Sequence, residues 1–344
     1  ESRITNDSVL ISSFGHKAKE NFSKIKQVQI VACGTSYHAG LVAKYWLEDI
    51  AKIPCNIEVA SEYRYRRPIL LNYTLFVTLS QSGETADTVE ALKAAKKINS
   101  NITSLCITNS PESSLTRLSD LTFLTHAGPE IGVASTKAFT TQLVALALLT
   151  CSIGRLKKSI TKKQEKGIII GLKRLPGLVN EALHQEAQIK NLAVRFKDKN
   201  SALFLGRGTM QAIAMEGALK LKEISYIHAE AYPAGELKHG PIALIDKDMP
   251  VIAIAPNDEL LEKLKSNLQE VKSRGSQMIV FEDENSNVQK MEAMEVIPIT
   301  SNLGRITAPI IFTIPLQLLS YHVALIKGTD VDKPRNLAKS VTVE

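Results

Sequence analysis

Cysteine is scarce in this chain: four residues (Cys33, Cys55, Cys106, Cys151) in 344, with no two in a CxxC spacing. That excludes a small zinc module and a disulfide framework, and it fits a reducing, cytoplasmic setting. The GxxxxGK phosphate loop is absent, and no group of His, Cys, Asp and Glu stands at metal-ligand spacing, so no metal is expected. Long apolar runs are missing too. The longest candidate, 308–326, is interrupted by Thr313, Pro315, Gln317, Ser320 and His322, which makes it a buried helix and not a membrane span. No secretory leader is legible at Glu1-Ser2-Arg3, and a first residue other than Met points to a piece of a longer protein. The net charge of +7 suits an anionic ligand. Its lysines and arginines are scattered through helical stretches such as 93–97, so neither nucleic acid nor a membrane surface is the expected partner.

What is present reads as globular. The chain is 44% hydrophobic and 22% charged, and its length calls for two cores. Apolar runs of strand length (28–32, 57–60, 75–79, 103–107) alternate with helical patterns (37–50, and through Val89, Leu92 and Ala95 to Lys97), the signature of an α/β protein with parallel sheets under helices. A Ser/Lys/Gln-rich stretch, 152–166, leads into helical spacing through Ile168, Leu172, Leu175 and Leu178 to Leu192. The layout expected is a first subdomain over 1–160 with an N-terminal helical segment, a helical connector over 161–195, a second subdomain over 196–330 and a tail over 331–344.

The two subdomains repeat one another. Ala202-Leu203-Phe204-Leu205-Gly206-Arg207-Gly208-Thr209 resembles Ile30-Val31-Ala32-Cys33-Gly34-Thr35, and Gly34 precedes Glu62 by 28 residues, as Gly208 precedes Glu236. A strand and helix follow in each half, but where the first has Ser80-Gln81-Ser82-Gly83 the second has Ala255-Pro256-Asn257-Asp258. Proline removes an amide donor and aspartate repels an anion, so one anion seat per chain is expected.

That seat is Ser80-Gln81-Ser82-Gly83-Glu84-Thr85, in which three hydroxyls and a glycine meet the amides of a helix start. An ordinary helix cap would use the same residue types. Cys33-Gly34-Thr35-Ser36 and Gly132-Val133-Ala134-Ser135-Thr136-Lys137 are further small-residue turns, and three in one repeat favour a polyhydroxyl anionic ligand. Gly206-Arg207-Gly208 is a poor dinucleotide fingerprint, since Gln211 stands where a third small residue is needed. Candidate titratable groups are Lys220 and Glu223, which also fit a surface i,i+3 pair, His239 in the loop 238–241, and Lys339 in the tail.

On these residues the chain resembles the isomerase half of the glucosamine-6-phosphate synthase family, the glutamine:fructose-6-phosphate amidotransferases. The likeness covers nearly its whole length through Cys33–Ser36, Leu79–Thr88, Glu130–Lys137, Glu236–Pro241 and Asp332–Glu344. The resemblance implies two tandem SIS (sugar-isomerase) subdomains, each a parallel β-sheet flanked by α-helices, in a homodimer that needs no cofactor. It implies fructose 6-phosphate as substrate, with glucose 6-phosphate or glucosamine 6-phosphate as product. Phosphate binding falls to Ser80, Gln81, Ser82 and Thr85. Cys33, Gly34, Thr35, Ser36, Val133, Ala134, Ser135 and Ala338 surround the sugar. Glu223 is implied as the base moving a proton between C1 and C2, Lys339 as the Schiff-base lysine, Lys220 as a supporting lysine, and His239 as the ring-opening histidine given by the neighbouring subunit. Members also carry an N-terminal glutaminase domain with a nucleophilic cysteine first, and nothing ahead of Cys33 can serve for it. A phosphosugar-binding regulatory module and a plain ketose–aldose isomerase are the competing readings.

Overall fold

The computed structural model describes residues 3–5 and 7–342. Glu1 and Ser2 of the leader reading, and Val343 and Glu344 of the tail, lie outside the described residues. The chain forms two compact units. One comprises residues up to Ile131, Ser135–Lys173 and the tail from Ala338; the other comprises Gly132–Ala134 and Arg174–Leu337.

The first unit opens with a small antiparallel pair, β1 (Ile4–Thr5) and β2 (Ser8–Val9), and helix α1 (Ala18–Lys24). Its main sheet contains β3 (Gln27–Ala32), β4 (Cys55–Val59), β5 (Thr74–Ser80), β6 (Thr103–Thr108) and β7 (Leu121–Leu124). All pairings are parallel, in the order β4-β3-β5-β6-β7. Successive side chains of a strand point to opposite faces, and here both faces are covered. Val31, Phe76 and Cys106 pack on the face that takes α3 (Ala60–Tyr63), α4 (Ala86–Ile98) and α5 (Ser114–Leu118). The other face, through Ile30 and Ile57, receives α2 (Gly34–Asp49), on which α6 (Lys137–Leu156) packs.

Helices α7 (Lys162–Leu183) and α8 (Glu186–Ala193) follow, and the division between the units falls inside α7. The Ser/Lys/Gln-rich stretch 152–166 begins inside α6, which runs to Leu156 with Cys151, Ser152 and Ile153 buried. The Ser152 hydroxyl donates to the Leu148 carbonyl at 2.8 Å, which lets a serine sit inside a buried helix.

The second unit repeats the plan with β8 (Ser201–Gly206), β9 (His228–Pro233), β10 (Pro250–Ala255), β11 (Gln277–Asp283) and β12 (Met294–Thr300). All pairs are parallel and the order is β12-β11-β10-β8-β9. Numbered within its own repeat, each sheet therefore reads 2-1-3-4-5, with the reversal of direction between its first and third strands. Leu203, Leu205, Val251 and Ala253 face α10 (Leu261–Lys272). On the other face α9 (Thr209–Ser225) lies over Phe204, and α11 (Thr307–Lys327) packs on α9. Phe204 is fully buried, a burial that contributes about 1.5–3 kcal/mol. Helices α6 and α11 are long and apolar enough to cross a membrane by length and composition, yet most of each is buried among neighbouring elements. The reading of 308–326 as a buried helix agrees with α11.

Gly206 ends β8 where the chain turns into α9, and a β-carbon there would overlap the Met210 carbonyl. Backbone cannot step aside as a flexible side chain can. Gly206→Ala is therefore expected to lower unfolding free energy by about 1–3 kcal/mol, measured as a lower urea midpoint with unchanged slope.

Candidate functional site

The parallel register pairs Ala32 with Leu79, so β3 and β5 end level with each other. Their outgoing turns, Cys33–Ser36 and Ser80–Thr85, consequently lie side by side at the carboxyl edge of the first sheet, where strand order reverses. This is the usual ligand edge of an open parallel sheet. Ser80 is buried; its hydroxyl lies 2.9 Å from that of Thr85 and accepts the Gly83 amide at 3.0 Å, while Ser82 Oγ accepts the Glu84 amide at 3.2 Å. Thr85 occupies the N-cap of α4 but its side chain makes no capping bond. The plain helix-cap reading thus fails for Thr85, whose hydroxyl serves the turn instead.

The turn is braced from outside. The Gly83 carbonyl accepts the Leu115 amide at 3.1 Å, and the Gln81 carbonyl accepts the Asn109 amide at 3.1 Å. The Glu84 carboxylate takes the Ser114 amide at 2.7 Å, and hydrogen bonding to the Ser114 side chain first, then to its amide, holds that carboxylate below its usual range. In the neighbouring turn, Gln142 Nε2 donates to Ser36 Oγ at 3.0 Å, both residues being buried. Burial pushes the Cys33 thiol up, and its Sγ lies 4.0 Å from Thr88 Oγ1. That environment suits a lining side chain more than a thiolate nucleophile. Close by, Arg64 pairs with Asp87 at 2.9 Å in the first turn of α4.

The tail joins this same unit. The Val341 carbonyl accepts the Ala86 amide, the first of α4, at 3.1 Å. Lys339, half-buried, and exposed Ala338 are thereby tethered two and three residues from the helix that leaves the Ser80–Thr85 turn. Ser135, half-buried, also belongs to the first unit, where Glu130 accepts the Ala138 amide at 2.7 Å and caps α6.

In the second unit, Glu216, Lys220 and Glu223 follow one another along one face of α9 at i, i+4 and i+7. Lys220 is not a surface lysine: its side chain is 3% exposed, with Nζ 2.6 Å from Glu223 Oε2 and 3.4 Å from Glu216 Oε1. Burial works against its charge, but the carboxylates of Glu216 and Glu223 outweigh it and raise its proton affinity above that of an ordinary lysine. Glu223 stands in the last turn of α9. Val133 and Ala134 lie against this helix end. Ala134 packs with Ile224, Ala324 and Val331, and the Val133 amide donates to the Asp332 carbonyl at 2.9 Å.

His239 stands apart, on a 3-10 turn over 234–239; its side chain is 71% exposed and Nδ1 is 2.9 Å from Glu236 Oε2. Within units, then, Cys33–Ser36, Ser80–Thr85, Ala338 and Lys339 come together in the first, and Lys220, Glu223, Val133 and Ala134 in the second. Sequence reasoning missed Glu216, Gln142 and Asp332. The i,i+4 spacing to Lys220 signalled the first, while nothing local signalled the other two.

At the corresponding edge of the second sheet, the Asp258 carboxylate accepts the Leu260 amide at 2.9 Å, just ahead of α10. Burial pushes that carboxyl up.

A family model described as SIS domain matches residues 21–152 and 195–327, one span over each five-stranded sheet. The chain belongs to the SIS-domain family, as two tandem SIS subdomains. Its more particular likenesses are to glutamine–fructose-6-phosphate aminotransferases (isomerizing). It is 61% identical over 344 residues to that of Pseudomonas syringae pv. tomato and 60% to that of Pseudomonas putida, covering 100% of this chain and 56% of each relative. The chain thus spans little more than half the length of these curated relatives. A solved structure, the C-terminal domain of glucosamine-fructose-6-phosphate aminotransferase from Francisella tularensis, is 54% identical with a TM-score of 0.94, covering 96% of this chain and 92% of that one.

Gly83 has φ +70°, and a β-carbon on it would overlap the Ser113 side chain. Gly83→Ala should cost about 1–3 kcal/mol from strain and crowding, and should shift the amide resonances of 80–85 while leaving those of α10 in place, read by urea melts and NMR.

Proposed function

We propose that this chain is the isomerase part of a glutamine–fructose-6-phosphate aminotransferase, acting in the cytoplasm on fructose 6-phosphate. The carrying observation is the Ser80–Thr85 turn: hydroxyls and helix-start amides at the switch point of the first sheet, with the lysine-bearing tail bonded to the adjoining helix. The phosphate is the group for which such a turn is built. Ser36, Thr35 and the 133–135 turn take the sugar hydroxyls.

Each remaining residue has a chemical task. Opening the sugar ring moves a proton between ring oxygen and hydroxyl, which imidazole does near neutral pH; the exposed His239 is suited to act on the site of a second copy in a homodimer. The Lys339 amine adds to the C2 carbonyl and water leaves, giving an iminium that draws electrons from C1 better than a ketone does. Ammonia, supplied in the longer protein by a glutaminase domain, displaces the lysine from that carbon. Glu223 then takes the C1 proton and returns it to C2, leaving an aldehyde at C1 and the amine at C2. Without ammonia the same proton transfer converts the ketose into glucose 6-phosphate. Lys220, charged and buried beside Glu223, supports the base.

Incubation with fructose 6-phosphate should produce glucose 6-phosphate. Glu223→Gln should lower kcat by roughly 10²–10⁴-fold with KM little changed. Lys339→Ala should still bind the sugar phosphate by calorimetry but lose the adduct that borohydride traps in the parent. A trapped adduct in that variant would refute the Schiff-base role. Binding without any turnover in the parent would make the chain a phosphosugar-sensing module instead.

A further inference from the structure

Thr150, Ser152, Ser225, Thr313 and Ser320 are buried inside helices, and each donates its hydroxyl to the carbonyl four residues earlier, which satisfies it within its own helix. Ser36, in the first turn of α2, departs from that habit. Its hydroxyl accepts the Nε2 amide of Gln142 at 3.0 Å, a contact between residues 106 positions apart in sequence. Ser36 is 8% exposed and Gln142 2%. Both belong to the first unit, with Gln142 on the helix α6 that packs against α2.

Gln142 is a poor choice for packing alone. It shares its stretch of α6 with the buried apolar residues Phe139, Leu143, Ala145 and Leu146, and its own Oε1 is buried with no partner among the described residues. A buried carbonyl left unbonded lowers stability, and a methionine of similar length would fill the space without one. What the amide supplies, and an apolar side chain cannot, is the bond to Ser36.

We propose that Gln142 is a positioning residue for sugar recognition: by donating to Ser36 Oγ it makes that hydroxyl a donor of fixed direction, whose proton goes to an oxygen of the ligand. This role rests on the reading of the first unit as a sugar phosphate site with Ser36 beside the sugar. A serine hydroxyl has one proton and two acceptor positions, and it turns to suit its surroundings. With one acceptor position taken by the Gln142 amide, the proton points away from that nitrogen, and a hydroxyl or carbonyl oxygen of a polyhydroxyl ligand is the group that receives it. Fixing the direction before the ligand arrives removes an ordering penalty from binding. The phosphate seat is held separately, because the hydroxyls of Ser80, Ser82 and Thr85 are bonded within their own turn. Gln142 therefore acts on the sugar and not on the phosphate.

Gln142→Met keeps the length of the side chain and removes the donor. Calorimetry on the full chain should show fructose 6-phosphate bound roughly tenfold more weakly, the loss expected for one oriented hydrogen bond, while inorganic phosphate binds as it does to the parent. In a Ser36→Ala chain the same substitution should lower sugar affinity no further, since the hydroxyl it braces is gone. Parent-like sugar affinity in folded Gln142→Met overturns the proposal. So does an equal loss for sugar and inorganic phosphate, or an undiminished loss in the Ser36→Ala background, because each makes Gln142 a packing residue. Should Gln142→Met not fold, Gln142→Asn withdraws the amide by one methylene and is read in the same way. A parent chain that does not bind fructose 6-phosphate overturns the functional reading and this role together, whereas unmoved sugar affinity in the variant overturns this role alone.

Discussion

The parallel pairing of β3 with β5 is the constraint on which the first unit's candidate site depends. Because Ala32 stands opposite Leu79, two strands that lie 47 residues apart in sequence end at the same level and deliver their turns to one edge. A slip of one residue would send every side chain of β5 to the other face and separate the turns. Everything around the Ser80–Thr85 turn then reinforces that placement: α5 and Glu84 hold it from one side, Asn109 from another, and the tail takes the first amide of α4. The polar atoms of the turn are organised by neighbours before any ligand arrives, and such preorganisation is what makes a small set of hydroxyls and amides useful for binding an anion.

The two repeats show how one frame supports different chemistry. Their strand orders are identical, and both packed faces are built alike, with α9 lying over Phe204 as α2 lies over Ile30 and Ile57. They part at the turn after the third strand. In the first repeat hydroxyls surround a helix start; in the second, Asp258 answers the Leu260 amide from within the chain. The second repeat carries a buried charged group on α9, between its first and second strands. There Lys220 stays charged against its burial only because two carboxylates surround it. Removing one member of such a group exposes the others to the cost of uncompensated charge.

Much of this was legible residue by residue. The alternation of apolar runs and helical patterns, the 28-residue spacing that betrays the repeat, and the hydroxyl turn are all properties of contiguous segments, where local periodicity and turn chemistry decide the outcome. The short strand β7, with four residues, and β9, half-exposed along its length, carry too little periodicity to be seen without the neighbours that pair with them. Ser152 looks polar in sequence, but its hydroxyl is satisfied within α6.

The amino-acid sequence by itself determined the α/β class, the duplicated frame and the turn with three hydroxyls, since each rests on interactions between residues near in the chain. Tertiary structure alone decided that Lys220 is buried between two glutamates when its spacing fits an ordinary surface pair equally well. It likewise decided that the tail is tied to α4, that Gln142 holds Ser36, and that Asp258 accepts the Leu260 amide. Burial and long-range hydrogen bonds depend on which distant segments meet, and no local pattern encodes the partner.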